Sequence, residues 1–288
     1  MSSPSHGGRR HGDQPYDYPS TIRGRLRPGH GSARMVTSFG CASSVYAVAM
    51  RGLKPIAVVA MLLLCACSSG SGEELASSAA TGSDAVSFRT DDGIELSGRL
   101  FGPRHAEAGI VLAHGATVDQ SSWFAFAEEL GRRGYLVLTF DFRGYCPGGD
   151  AGCSGGSKDD NTRPTDLHAA IQEIRSFGIE RLGLMGSSLG GSAVLTVAAD
   201  EGDGLDLVVA LSATDDDLRR ISAPKLFMAG TSDDGIAALA QRFFDASSQP
   251  KRLILLDTGD HGAEMLKGSQ SGEARAAVFD WLEKYLPV

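Results

Sequence analysis

Cysteine is scarce in this chain of 288 residues, which contains five. Cys41, Cys65 and Cys67 lie near the start of the chain, so only Cys146 and Cys153 remain for a folded domain. Two cysteines seven positions apart, with no second pair nearby, are a poor ligand set for zinc. They flank a turn-rich Pro-Gly-Gly-Asp-Ala-Gly segment, and we expect them to form a disulfide in an oxidising compartment.

Long apolar runs are also missing. The apolar stretch 55–67 is too short to span a bilayer as a helix, but it has the length of a signal-peptide core. Hydrophobic residues make up 42% of the chain and charged residues 22%. These proportions are ordinary for a globular protein and exclude a polytopic membrane protein, a coiled coil and a wholly disordered chain.

Positive charge is scarce beyond residue 67. The formal net charge is −8, but residues 1–49 carry +4 and residues 50–67 carry +2, which leaves −14 for residues 68–288. A domain this acidic repels phosphate backbones, so we expect no nucleic-acid partner. The sequence has no dinucleotide fingerprint and no His/Cys cluster, so no metal or organic cofactor is predicted.

Ahead of residue 85 the chain divides into three segments. Residues 1–49 have no sustained apolar period, and we expect them to be disordered or untranslated. Residues 50–66 join a short basic segment to the apolar run and are predicted to be a lipoprotein signal peptide. Residues 67–84 are rich in Ser, Ala and Gly, which predicts a flexible tether. The start codon is one of three methionines: Met1, Met35 or Met50.

The end of the apolar run, Leu64-Cys65-Ala66-Cys67, resembles the bacterial lipobox. That motif has an apolar residue three positions before the lipidated cysteine and a small residue directly before it. Cys65 does not fit as the lipidated residue because Leu64 would directly precede it. We therefore expect a lipid on Cys67, which would attach the exported protein to the outer face of a bacterial cell membrane. A plain cleaved signal peptide or a short uncleaved anchor is the alternative.

Residues 85–288 alternate apolar runs with amphipathic segments, which predicts one α/β domain with a doubly wound sheet. The runs 136–140 and 207–211 are apolar throughout, as suits parallel strands buried on both faces. Strands are predicted at 85–89, 93–101, 109–113, 135–142, 181–186, 205–211, 225–229 and 251–256. Helices are predicted at 121–133, 164–177, 189–200, 235–247 and 272–285. In such sheets functional side chains gather at the carboxyl ends of the strands.

A candidate nucleophile follows the strand predicted at 181–186. Gly186-Ser187-Ser188-Leu189-Gly190 matches G-x-S-x-G between an apolar strand and a helix, a turn that exposes the serine beside a helix N-terminus. A second match, Gly152-Cys153-Ser154-Gly155-Gly156, has no strand before it. We therefore take Ser188 and not Ser154 as the nucleophile, with an inert serine in a tight turn as the alternative.

Four more motifs lie at predicted strand ends. In chain order they are His114-Gly115-Ala116, Asp141-Phe142-Arg143-Gly144, Gly230-Thr231-Ser232-Asp233 and Gly259-Asp260-His261-Gly262. Together with the Ser188 turn, these motifs resemble the α/β-hydrolase superfamily over residues 85–288. The resemblance implies a mostly parallel, eight-stranded sheet with helices on both faces. It also implies a Ser-His-Asp catalytic triad.

The resemblance assigns the triad by chain order: serine, then acid, then histidine. His261 is the only histidine after Ser188 and becomes the base. Asp233 matches the family's acid position, with the adjacent Asp234 as the runner-up. Asp215, Asp216 and Asp217 follow the preceding strand and are interpreted as a solvated acidic turn.

The same resemblance assigns the oxyanion hole to the backbone N–H groups of Leu189 and Ala116. His114 then becomes a structural hydrogen-bonding residue, and the Asp141–Arg143 motif braces neighbouring loops.

Dienelactone-hydrolase-like and peptidase-like domains are the branch that this pattern is most similar to. Dienelactone hydrolases carry a cysteine where this chain has Ser188, and only about a dozen residues separate 211 from 225, so no cap domain is predicted. The 145–163 insert is expected to form one wall of the cleft. We expect an exported, lipid-anchored serine hydrolase acting on a small carboxylic ester or thioester. A peptidase or acyltransferase using the same triad, or a non-catalytic surface protein with this fold, is the alternative.

Overall fold

The computed structural model describes residues 82–146, 152–214 and 221–288. The leader, the signal peptide, Cys67 and most of the tether lie outside the described residues, so the expectations about them stay predictions. Asp215, Asp216 and Asp217 also lie outside them. Within the part of the chain that is described, no helix is both long enough and apolar enough to cross a membrane.

Strands and helices alternate along the described residues. The strands are β1 (Asp84–Arg89), β2 (Glu95–Phe101), β3 (Ala108–Ala113), β4 (Leu136–Phe140), β5 (Arg181–Ser187), β6 (Leu207–Leu211), β7 (Lys225–Gly230) and β8 (Lys251–Leu256). The helices are α1 (Phe124–Arg132), α2 (Arg163–Ser176), α3 (Leu189–Glu201), α4 (Ile236–Ala246) and α5 (Ser271–Tyr285).

The eight strands form one sheet in the order β1-β2-β4-β3-β5-β6-β7-β8. β1 and β2 pair antiparallel with each other, β2 pairs antiparallel with β4, and the other neighbours are parallel. The predicted eight-stranded, mostly parallel sheet is therefore confirmed.

Each predicted strand and helix is present, with ends that differ by three residues or fewer. The largest difference is at the start of α1, because residues 120–123 form a 3₁₀ turn and the Asp119 carboxylate caps the Ser121 N–H at 2.8 Å. The predicted strand 135–142 ends early at Phe140. Beyond it, the Phe142 N–H donates to the His114 side chain and not to a neighbouring strand.

Two apolar layers bury the sheet. Alternate residues of β3 face opposite layers: Val111 packs with α2 and α3, and Leu112 packs with α1 and α5. β3, β4, β6 and β7 are buried along their whole length, which explains why their sequences are apolar without alternation.

Different parts of the chain lie at the amino and carboxyl ends of the parallel strands. The chain enters the sheet at Asp84, which pairs with Leu100 beside the amino end of β4. Val288 packs against Gly134, which directly precedes β4. Both ends of the folded unit therefore lie at the amino ends of the parallel strands, and the motifs listed above lie at the carboxyl ends. Thirteen residues connect β6 to β7, too few for a cap domain.

Candidate functional site

Ser188 lies between β5 and α3 in a conformation that few side-chain-bearing residues adopt. Its φ is 56° and its ψ is −123°, a region that costs free energy for any residue other than glycine and is seen mostly at functional sites. The Ser188 N–H donates to the Leu211 carbonyl at 2.8 Å, which ties the turn to the end of β6. The geometry is that of a nucleophile elbow.

The glycines of the G-x-S-x-G motif are required by close backbone approach. A β-carbon on Gly186 would collide with the Gly190 carbonyl, and one on Gly190 would collide with the carbonyls of Ala113 and His114. These contacts bring the first turn of α3 against the end of β3. The elbow and the His114-Gly115-Ala116 turn are thus in contact.

His261 and Asp233 meet in the structure. The Nδ1 of His261 lies 2.7 Å from the Oδ2 of Asp233, a distance at which Nδ1–H donates a hydrogen bond to the carboxylate and Nε2 takes no part in that bond. The His261 side chain is 41% exposed and that of Asp233 is 12% exposed. Asp234 is exposed, and of the two neighbouring aspartates it is Asp233 that bonds to the imidazole.

The residues after His261 pack against the elbow. The Ala263 N–H donates to the Ser187 hydroxyl at 3.0 Å, and a side chain at Gly262, where φ is +59°, would collide with that hydroxyl. Among the described residues no hydrogen bond joins the Ser188 hydroxyl to the His261 ring. Bonds of this kind commonly tighten only when substrate is bound.

The turn predicted to hold the oxyanion lies directly beside Ser188. A β-carbon on Gly115 would be 3.1 Å from that of Ser188. The His114 ring, which is fully buried, braces the turn: its Nδ1 donates to the Gly115 carbonyl at 2.7 Å, and its Nε2 accepts from the Phe142 N–H at 3.2 Å. Burial lowers the pKa of His114 to about 4, so the ring is neutral and its 3.6 Å approach to Asp141 is not an ion pair.

Asp141 is the second buried ionisable group behind this turn. Its carboxylate accepts hydrogen bonds from the Gln120 N–H at 2.9 Å and the Gln120 side-chain amide at 2.6 Å. Burial nonetheless raises the pKa of Asp141 to about 6, because these two hydrogen bonds only partly offset the desolvation of the charged form.

Arg143 joins two loops. Its guanidinium donates to Asp166 of α2 and to Asp92 in the β1–β2 turn, at 2.6–3.0 Å. These contacts agree with the predicted bracing role.

Ser154 is buried in the framework. Its hydroxyl donates to the Asp141 carbonyl at 2.6 Å and accepts from the Ser97 N–H at 2.9 Å. Its hydroxyl therefore connects the 145–163 insert to β2, and neither of these two bonds involves Ser188.

The insert also contacts the turn predicted to hold the oxyanion. Cys146 and Cys153 are bonded as a disulfide with their Cα atoms 4.2 Å apart. The preceding residue, Tyr145, is buried and donates its hydroxyl to the Ala116 carbonyl at 2.7 Å. The Lys158 ammonium lies 3.6 Å from the centroid of the Tyr145 ring.

Comparison with known proteins identifies the family. A profile of the Alpha/beta hydrolase family matches residues 110–282, more than half of the chain. The protein belongs to the alpha/beta hydrolase family. Among curated proteins, this hydrolase is 28% identical over 214 residues to the uncharacterized protein YfhR of Escherichia coli O157:H7, covering 62% of this chain and 73% of that protein. YfhR of Escherichia coli K12 matches with the same identity and coverage.

Solved structures share the fold. A Pyrococcus furiosus esterase, Pf2001, is similar with a TM-score of 0.59 and 18% identity over 71% of this chain and 93% of that one. A dienelactone hydrolase from Anabaena variabilis has a TM-score of 0.59 and 21% identity over 71% of this chain and 98% of that one. At these identities the likeness establishes the fold and leaves the substrate of this hydrolase open.

Three residues of the hydrolase's site were missed in the sequence. Ser187 and Ser212 bind the loop that carries His261, and Tyr145 binds Ala116. Ser212 directly follows the carboxyl end of β6, the kind of position at which functional side chains of such sheets gather. Among residues 82–146, 152–214 and 221–288, no group of three or more His, Cys, Asp or Glu side chains is arranged to hold a metal ion; the predicted lack of a cofactor stays a prediction.

Proposed function

We propose that this alpha/beta hydrolase is a serine hydrolase that cleaves small carboxylic esters or thioesters. Ser188 is the nucleophile, His261 the general base and Asp233 the acid that orients it. The backbone N–H groups of Leu189 and Ala116 hold the oxyanion. The observation that carries the proposal is the combination of a serine at φ 56° on the strand–helix turn and a 2.7 Å His261–Asp233 bond on the neighbouring loops.

The reaction begins when the Ser188 oxygen attacks the carbonyl carbon and its proton passes to Nε2 of His261. The carbonyl electron pair moves onto oxygen, where the two N–H donors and the N-terminus of α3 stabilise the negative charge. Asp233 stabilises the imidazolium and keeps its own charge.

Collapse of this intermediate breaks the bond to the leaving alcohol or thiol, which takes the proton from His261. Water then attacks the acyl-enzyme and gives a proton to His261. That proton returns to Ser188 as the carboxylic acid leaves, so the enzyme is regenerated with one water consumed.

Two features favour a small substrate. The His261 side chain is 41% exposed, and the 13-residue β6–β7 connection is too short to cover it with a helical cap. A cleft bounded by loops buries few methylene groups of a substrate. Two of the structural neighbours are an esterase and a dienelactone hydrolase, enzymes that act on ester bonds.

The test is activity-based labelling. A fluorophosphonate probe should label the wild-type protein on Ser188, and Ser188→Ala should abolish labelling and reduce kcat by several orders of magnitude. Ser154→Ala is the matched control: it removes a serine hydroxyl from the second G-x-S-x-G match and should keep the label. A panel of esters, thioesters and peptide anilides then separates esterase from peptidase. Turnover by Ser188→Ala at a near wild-type rate would overturn the proposal.

We propose further that the hydrolase is exported and lipid-anchored through Cys67. The support is the basic segment, the apolar run and the Leu-Cys-Ala-Cys sequence at 64–67. Globomycin treatment or Cys67→Ser should prevent lipid attachment and change membrane fractionation, with Cys65→Ser as the matched control. Loss of membrane fractionation with Cys65→Ser, and no loss with Cys67→Ser, would contradict this assignment.

A further inference from the structure

Ser212 stands out among the residues that the proposed reaction does not use. It directly follows β6, its side chain is completely buried, and its φ of +49° lies in a region that glycine adopts more readily than serine. The Ser212 N–H donates to the Met228 carbonyl of β7 at 2.8 Å. Because a residue persists in such a conformation only where its surroundings hold it, the position of the Ser212 side chain is well determined.

Both hydrogen-bonding capacities of the Ser212 hydroxyl are used at the candidate site. The hydroxyl donates to Oδ2 of Asp233 at 3.0 Å, and it accepts from the Gly262 N–H at 2.9 Å. One hydroxyl therefore binds the acid on one side and, on the other, the residue that directly follows the base.

These two bonds hold both sides of the His261–Asp233 contact. Oδ2 of Asp233 receives two donors, the Ser212 hydroxyl and Nδ1 of His261, so the rotation of the carboxylate is constrained. The Gly262 backbone cannot move toward the elbow, since it already packs against the Ser187 hydroxyl. The Ser212 hydroxyl holds it from the side of β6.

We propose that Ser212 is a positioning residue that sets the orientation of His261 toward Ser188 by holding Asp233 and Gly262 together. The inference rests on the proposed serine-hydrolase function. The Ser212 hydroxyl bonds to Asp233 and Gly262 and acts through the acid and the base.

The variants Ser212→Ala and Ser212→Gly test the role of the hydroxyl. Both remove it. Alanine keeps the β-carbon that serine already carries at this positive φ, and glycine adopts the same φ without strain, so a loss seen in both variants comes from the missing hydroxyl and not from the backbone. With a short-chain ester we expect kcat to fall by about 10- to 100-fold in both variants, since small misplacements of catalytic groups cost factors of this size. KM should change by less than about threefold, because Ser212 does not bind the substrate.

A double-mutant cycle with Asp233→Asn separates positioning from a purely structural role. If Ser212 acts through Asp233, Ser212→Gly should cost less than about threefold in kcat once Asp233→Asn is present. A structural role predicts the same fold loss in both backgrounds. Ser248→Ala is the matched control, because it removes a serine hydroxyl that bonds the backbone carbonyl of Ile221 at the amino ends of the strands; it should leave kcat unchanged.

The outcomes are distinguishable from failure of the proposed function. Wild-type protein that the fluorophosphonate probe does not label would overturn the serine-hydrolase proposal itself. Labelled wild type together with a fully active, folded Ser212→Gly would overturn the positioning role alone. Equal losses in the presence and absence of Asp233→Asn would also overturn it.

Discussion

The hydroxyl of Tyr145 donates a 2.7 Å hydrogen bond to the carbonyl oxygen of Ala116. Ala116 follows Gly115, which packs on Ser188, so the bond connects the 145–163 insert to the turn proposed to hold the oxyanion. The Tyr145 ring packs edge-on against His114, with centroids 4.6 Å apart. The peptide that joins Ala116 to Thr117, directly after the proposed N–H donor, is therefore held by a residue outside this turn.

Tyr145→Phe should lower kcat for a short-chain ester by about 3- to 10-fold. This is less than the loss of about 100-fold or more that follows removal of an oxyanion donor itself, because Tyr145 holds the peptide that follows the proposed donor and does not contact the oxyanion. Tyr135→Phe is the matched control, since the Tyr135 hydroxyl bonds the Leu286 carbonyl at 2.8 Å at the far end of the sheet. Equal kcat losses in the two variants would contradict the role of Tyr145.

Reduction of the Cys146–Cys153 disulfide should lower both stability and activity. The bridge closes an eight-residue loop, for which chain entropy predicts a stabilisation of about 2–3 kcal/mol. Both half-cystines are exposed, so a reductant reaches them in the folded protein. The double variant Cys146→Ser/Cys153→Ser should lower Tm, and it should reduce kcat through Tyr145. When the same two substitutions are made in Tyr145→Phe protein, they should cause little further loss of kcat. Two free thiols in protein prepared without reductant would contradict the prediction.

The buried pair His114 and Asp141 should give opposing pH effects on stability. Burial holds the pKa of His114 near 4, so the unfolded chain takes up a proton there as the pH falls below about 6.5, and this contribution to stability is lost on acidification. Burial raises the pKa of Asp141 to about 6, so the folded state takes up that proton first and gains stability over the same range.

Asp141→Asn should therefore expose the His114 effect. Between about pH 6 and pH 4 the free energy of unfolding of the variant should fall more steeply than that of the wild type, by up to about 1.4 kcal/mol per pH unit for one proton. Urea denaturation at several pH values checks this slope. Parallel wild-type and variant profiles would show that Asp141 is already ionised throughout the range.

Substrates with short acyl chains should be preferred. Each buried methylene group contributes about 0.8 kcal/mol, but a proposed site with a 41% exposed His261 offers few places to bury them. In a p-nitrophenyl ester series from two to sixteen carbons, acetate or butyrate should have the highest kcat/KM. A kcat/KM that rises steadily beyond about eight carbons would mean that the 145–163 insert or a second subunit builds an acyl tunnel.

The features predicted from the sequence are those with local signals. Ser188 is recognisable because the strand, the glycines and the helix that define its turn are adjacent in the chain. His261 and Asp233 lie at strand ends, and the parallel sheet brings those ends to one edge. The strands were predicted from their apolar runs, which are also local signals. Burial on both faces leaves no place for polar residues in β3 or β6.

The features that were missed depend on contacts between distant residues. Ser212 meets Gly262 across 50 positions, and Tyr145 meets Ala116 across 29. No local pattern marks a serine or a tyrosine for such a bond. The strand ends were misplaced for a similar reason: Phe142 leaves the sheet because the buried His114 side chain competes for its N–H.

The placement of Asp84 and Val288 has a practical consequence for handling the protein. Both residues lie at the amino ends of the parallel strands, and Ser188 and His261 lie at the carboxyl ends. A tag, a fusion partner or a solid support joined directly ahead of Asp84 or at Val288 is therefore attached on the side of the sheet remote from Ser188 and His261. Protein immobilised through either of these two positions should keep the same access to substrate.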